Sequence, residues 1–190
     1  MSMFNRFNRY QKQIALKDGS IEKAVFTRVG RSNSSNFRTN FVYTLLLKLG
    51  TAVSNGDLVK CEIYGKKRTF IIVSIRHTDS SVQATAYECN CNIEVYRSET
   101  KYDDYDNEIG HSVECVLTTE ANYVTVNSSM RMMDAGLLPS TTIEFRIPIC
   151  DIRELDRIVL DGENYCVDAI DKTKFFGMLA IQVSYDERSL

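Results

Sequence analysis

NGDLVKCEIYGKKRTFIIVSI, residues 55–75, reads as β-structure from end to end. Asn55-Gly56 is a strong tight-turn dipeptide, because both residues tolerate the left-handed backbone of a two-residue turn. Leu58 to Tyr64 forms a strand that Gly65-Lys66-Lys67 ends, and Thr69 to Ile75, rich in β-branched residues, forms the next. Downstream, Val82 to Tyr87 (VQATAY) alternates apolar and polar, and Ile93 to Tyr96 supplies another short strand. Upstream, Ile21 to Val29 reads as a strand with unevenly spaced apolar residues, and residues 30–36 (GRSNSSN) as a flexible loop. Phe41 to Leu49 is an apolar run that fits a buried strand or a short helix, which periodicity does not separate.

The second half repeats this grammar. Val113 to Leu117 and Tyr123 to Val126 read as strands, Met130 to Asp134 as one helical turn, and Gly136 to Ser140 as a loop. Ile143 to Ile149 is the next strand, and Pro148 argues that its end lies at an edge or bulge, where no ladder donor is needed. Leu155 to Leu160, a turn at residues 161–164, Tyr165 to Ile170 and Met178 to Tyr185 complete a second meander. Asp57-Leu58-Val59 before Gly65 and Phe70 echoes Asp156-Arg157-Ile158 before Gly162 and Tyr165. Between the halves, residues 98–108 (SETKYDDYDNE) are acidic, hold one base and no aliphatic residue, and read as a solvated linker.

The expected fold is therefore mainly β: two tandem small β-barrel or sandwich modules with a short N-terminal helix or arm. Residues 1–40 are the basic arm and first strand, 41–97 the first module, 98–110 the acidic linker and 111–190 the second module. With 190 residues, 44% hydrophobic and 25% charged, the chain has the composition of a folded, soluble protein with a sizeable core. No apolar run is long enough to span a membrane as a helix, and MSMFNRFNRYQKQ lacks the apolar core of a signal peptide. The six cysteines are then expected to be reduced.

The net charge of −2 conceals a polar molecule: residues 1–48 carry nine Lys or Arg against two acids, 49–100 six of each, and 101–190 eight against seventeen. Such asymmetry suits a protein with different partners at its two ends, or one whose copies stack basic against acidic. Within the basic end, Phe4, Phe7 and Ile14 fall at helical spacing among Arg6, Arg9, Lys12 and Lys17. These seven residues are candidates for an assembly interface, the apolar groups docking while the charges face an acidic partner. A protein partner suits them better than DNA, because a duplex backbone offers no apolar groove.

Signatures of catalysis are sparse. His77 and His111 have no flanking nucleophile motif, and Cys89-Asn90-Cys91 is a close cysteine pair without the second pair of a structural zinc site. The other cysteines, at 61, 115, 150 and 166, read as small apolar fillers on strands. Nucleotide-binding glycine loops and the H-E-x-x-H motif are missing, and the acids of residues 102–108 lack the spacing of an EF-hand. A cysteine-dependent enzyme whose thiol and histidine meet only in the fold is the less favoured alternative.

Thr141 to Glu187 resembles the small β-barrel of tailed-phage head-tail connector proteins, through Arg146, Asp151, Asp156-Arg157-Ile158, Asp161-Gly162, Tyr165 and the strand Val167 to Ile170. Ser54 to Tyr96 is similar to a second module of Gram-positive phage neck proteins, through Gly56-Asp57, Phe70 to Val73 and Cys91-Asn92. The resemblance covers about half the chain. It implies a non-enzymatic virion protein, with no catalytic residue, cofactor or metal: a homo-oligomeric ring between the portal or an adaptor and the tail, sealing or continuing the DNA channel. It implies assembly in the host cytoplasm and nonspecific contact with channel DNA. Other virion rings, such as a tail terminator, tail tube or baseplate adaptor, share such barrels.

Overall fold

The computed structural model describes residues 3–28 and 42–188; the loop expected at 30–36 lies outside them. The chain opens with a single turn of helix, α1 (Met3–Arg6), and a 3-10 turn at Asn8–Tyr10. Six strands follow: β1 (Gln11–Ala15), β2 (Ile21–Arg28), β3 (Val42–Leu47), β4 (Leu58–Ile63), β5 (Lys66–His77) and β6 (Val82–Glu88). They close into an antiparallel barrel in the order β1-β2-β3-β6-β5-β4, with β1 pairing β4 through Ile14 and Cys61 to complete the ring. The apolar run expected as a buried strand or a short helix holds the strand β3, Val42–Leu47, whose Tyr43, Leu45 and Leu47 face the core at a period of two. Phe70, fully buried, sits 5.0 Å from Phe26 and 5.1 Å from Tyr43 between ring centroids.

After Cys89 and Asn90 a second barrel begins. Its strands are β7 (Cys91–Tyr102), β8 (Glu108–Thr125), β9 (Ile143–Pro148), β10 (Arg157–Leu160), β11 (Glu163–Asp171) and β12 (Met178–Tyr185). They close in the order β7-β8-β9-β12-β11-β10. The helical turn expected near 130 is α2 (Ser128–Met133), which starts where the Asn127 side chain accepts a hydrogen bond from the Met130 N–H. Pro148 is the last residue of β9 and lies past the final β8 pairing at Arg146, as a residue without an N–H requires. Phe145, Ile158 and Ile181, all fully buried, lie at the centre of the second core.

Tandem closed barrels thus realise the expected mainly β fold, but the module boundaries move. Gln11–Ala15 is a barrel strand rather than part of an arm, because β1 supplies the closing edge for β4, and the strand expected from Ile21 joins the same barrel as β2. The first module spans 11–88, not 41–97, and the junction is Cys89-Asn90. The acidic segment at 98–110 is no linker: β7 and β8 pair continuously from Cys91↔Ala121 to Tyr102↔Glu108, and the segment forms the end of their hairpin. The two strands expected at 113–117 and 123–126 are parts of the single strand β8.

The two barrels share one strand order, β1 to β6 corresponding to β7 to β12. The echo in the sequence is a structural equivalence: Val59 pairs with Phe70 and Ile158 with Tyr165 at matching places. Both barrels also carry a register shift at the same place in the fifth strand, at Ile72/Ser74 and at Val167/Ala169.

Candidate functional site

With the junction at residue 89, the charge asymmetry sharpens. Residues 1–88 carry fourteen Lys or Arg against six acids, and residues 89–190 carry nine against nineteen. One barrel is basic and its structural twin acidic, so the molecule presents opposite charge at its two ends.

The candidate docking residues do not form one face. Ile14 lies on β1 and is fully buried in the first core, so it serves closure rather than docking. Phe4 is 5% exposed, and its carbonyl accepts a hydrogen bond from Gln11 Nε2 at 3.2 Å. Phe7 is at the margin of exposure, whereas Arg6, Arg9, Lys12 and Lys17 are all exposed. The helical spacing of the three apolar residues dissolves because the chain turns to extended structure at Gln11. What survives of the expected arm is its exposed basic charge.

The barrels meet through specific contacts. Gly56 and Gly177, with φ of +85° and +79°, bring their backbones together; a methyl on Gly56 would overlap the Gly177 carbonyl, and one on Gly177 would overlap the carbonyl of Asn55. Asn122 Nδ2 donates to the Glu88 carbonyl at 2.9 Å, and Lys60 pairs with Glu120 at 3.2 Å. Asn90 holds the linker onto β8, its side chain donating to the Tyr123 carbonyl and accepting from the Tyr123 N–H. The Arg146 guanidinium lies 4.9 Å from the Tyr87 ring centroid and 5.2 Å from that of Phe175, bridging the two barrels by cation–π contact. A cleft of about 420 Å³ runs along the junction, lined by Leu16, Leu58 and Lys60 of the first barrel and Leu117, Pro148 and Ile149 of the second.

The polar residues that carry the connector resemblance have structural work to do. Buried Arg97 donates to both carboxylate oxygens of Asp156 at 3.0 and 2.9 Å, and to Asp151 Oδ2 at 3.0 Å. This ties residues 151–156 to the root of the hairpin, and the Arg97 hydrogen bond holds the Asp151 carboxyl below its usual range. Arg157 Nε donates to Asp186 at 2.7 Å, so the chain beyond β12 is pinned to β10. Hydrogen bonds from Arg188 and then Arg157 keep the Asp186 carboxyl far below its ordinary value. Fully buried Glu144 accepts from Arg146 at 3.1 Å and from Lys174, which also donates to Asp134 at 2.6 Å.

Thiol chemistry finds little support. Burial pushes the Cys89 and Cys91 thiols up to about 12 and raises those of Cys61, Cys150 and Cys166, which keeps all five protonated at neutral pH. Cys61 packs in the first core as expected, but Cys115 is exposed on β8 and is no core filler. Of the histidines, both exposed, His111 contacts Glu108 at 3.0 Å and Thr100 at 3.3 Å. Among the described residues, no group of three or more His, Cys, Asp and Glu is placed to hold a metal ion.

Three features escaped the sequence reading: the Arg97 clamp, the glycine contact between barrels, and Tyr64. Tyr64 is 93% exposed with φ of +53°, in a two-residue turn with Gly65 at +73°. A tyrosine where Asn or Asp is the favoured residue was the visible signal.

No family model and no curated protein matches the chain. Among solved structures it is similar to MrkH, described as a c-di-GMP-dependent transcription regulatory factor, at 8% identity over 99% of this chain and 82% of that one. The TM-score is 0.27, and a likeness of that size has no bearing on function.

Proposed function

We propose that this chain is a non-enzymatic structural subunit of a tailed-phage virion, forming a homo-oligomeric ring in the neck between the portal or an adaptor and the tail. The observation that carries the reading is the pairing of one barrel fold with two opposite charges: fourteen bases against six acids up to residue 88, nine against nineteen beyond it. A molecule with unlike ends favours heterologous contacts, in which one face of each copy meets the other face of the next, and such contacts form a ring where the rotation between copies closes. The resemblance of Thr141 to Glu187 and Ser54 to Tyr96 to connector modules supports the place of that ring in the neck. There it seals or continues the DNA channel, the basic barrel offering nonspecific contact with phosphates.

The test is a reconstruction of particles that contain this chain, with a tag on the chain for assignment. A cyclic ring of this chain between portal and tail is the expected result. A ring at the tail terminator, tail tube or baseplate would move the chain to another station. Particles without such a ring would end the proposal.

A further inference from the structure

The β7–β8 hairpin outgrows its barrel. β10 pairs with β7 only at residues 94–96 and β9 with β8 only at 122–125, so residues 97–102 and 108–121 pair on one side alone among the described strands. From the junction at Cys91 the hairpin runs to Tyr102, roughly 36 Å at strand spacing. Its end is built rather than loose: Asp103 Oδ1 accepts from the N–H groups of Tyr105 and Asn107 at 2.8 and 2.9 Å, leaving Asp104, Tyr105 and Asp106 facing outward. Ile109 and Val113 are 64% and 43% exposed on a strand with an open edge, a combination that proteins normally cover.

In the first barrel the β4–β5 turn offers the complement; its Lys67 lines a cavity at the barrel junction together with Asn90, Glu120 and Asp161, near the root of the hairpin and not its end. Tyr64, Lys66 and Lys67 are exposed there, and the equivalent turn of the acidic barrel places Asp161, at φ of +51°, where Tyr64 stands. The fold therefore accepts Asp at this turn position, so the turn backbone does not require an aromatic there.

We infer that the β7–β8 hairpin is an intersubunit arm whose acidic end seats on the Tyr64–Lys67 turn of a second copy of this chain. Charge complementarity selects that occupant: Glu99, Asp103, Asp104, Asp106, Glu108 and Glu114 on the arm face a turn that carries two lysines and an aromatic. Because arm and turn are different surfaces of one chain, the contact is heterologous and repeats from copy to copy. It deepens the ring reading, and rests on that reading for cyclic closure.

Mixing charge-reversed chains tests it. One full-length variant carries Lys66→Glu and Lys67→Glu, the other Asp104→Lys and Asp106→Lys, and sedimentation follows each alone and both together. At about 50 mM salt the native chain should self-associate, and at about 500 mM it should come apart, since screening weakens exposed pairs. Each variant alone should remain monomeric, and the mixture should associate because every contact in it again joins unlike charges. Tyr64→Asn, which suits the turn better, should fold at least as stably yet weaken association about tenfold or more. A native chain that is monomeric at low salt, or variants that each assemble like the native chain, would overturn the contact. In the second case a ring in the particle would still stand, built through another surface.

Discussion

The turn before β4 and the turn before β10 make the same hydrogen bonds with different residues. Asp57 accepts from the Ser54 N–H at 2.7 Å, and Asp156 from the Arg153 N–H at 2.8 Å. Gly56 donates to the Ile72 carbonyl and Leu155 to that of Val167; Ile72 and Val167 donate back to the carbonyls of Asp57 and Asp156. The residue before the aspartate has positive φ in both, +85° at Gly56 and +70° at Leu155. Leu155 is 70% exposed, whereas Gly56 lies against the backbone of Gly177 in the other barrel. Positive φ alone therefore does not demand glycine here. The close approach of a second backbone does.

The aspartates differ as well, and replacing them should separate the two turns most widely. Asp156 is 4% exposed and bonded to Arg97, so Asp156→Ala leaves the buried guanidinium with Asp151 as its remaining partner, removes the acceptor of the Arg153 N–H, and should cost about 3 kcal/mol. Asp57→Ala removes a turn hydrogen bond and should cost about 1 kcal/mol. Urea unfolding of the full chain measures both, and equal losses would mean that the Arg97 clamp adds nothing.

The glycine difference is next in size. Gly56→Ala drives a methyl into the Gly177 carbonyl at positive φ and should cost about 2–3 kcal/mol, while Leu155→Gly, facing solvent, should change stability by about 1 kcal/mol or less. Amide exchange would show the first loss concentrated at residues 54–57 and 175–178. A silent Gly56→Ala would place the restraint between the barrels elsewhere.

Acid should split the twins in a graded way. In the second barrel Asp134, Asp151, Asp171 and Asp186 all have lowered folded pKa values, from hydrogen bonds to Lys174, Arg97, Thr173 and Arg188 first. A carboxyl with a depressed folded pKa adds stability above its unfolded value near 4 and loses it as the pH falls through the folded value. The acidic barrel should thus loosen before the basic one between about pH 4 and pH 2, as followed by residue-resolved amide spectra. Simultaneous loss of both would show that their junction, not these ion pairs, sets the acid limit. The smallest effect is expected at the β4–β5 turn, where Tyr64→Asn should raise stability by about 0.5 kcal/mol in thermal unfolding.

The strands of both meanders were legible because alternation and tight-turn dipeptides are local signals. Met178 to Tyr185 is legible with the bounds of β12, and the local pattern alone aligns Asp57 with Asp156 across the repeat. The end of the β7–β8 hairpin at residues 98–110 reads as a linker because it stands clear of the core, so its residues carry no apolar alternation. Ile14 was grouped with Phe4 and Phe7 because spacings of three and seven suit a helix. Its partner Cys61 lies far along the chain, and a local window has no view of that pairing.

By itself the amino-acid sequence determined a β-rich chain of two modules with opposite charge, since turn chemistry, β-branching and charge count are properties of neighbouring residues. Only the tertiary structure decided that each module closes, that β1 belongs to the first, and that Gly56 must be glycine. Those outcomes depend on backbones brought together from distant parts of the chain, Ile14 with Cys61 and Gly56 with Gly177. Such contacts first pay loop-closure entropy and are stabilised only when the whole barrel forms, so they leave no local mark to read.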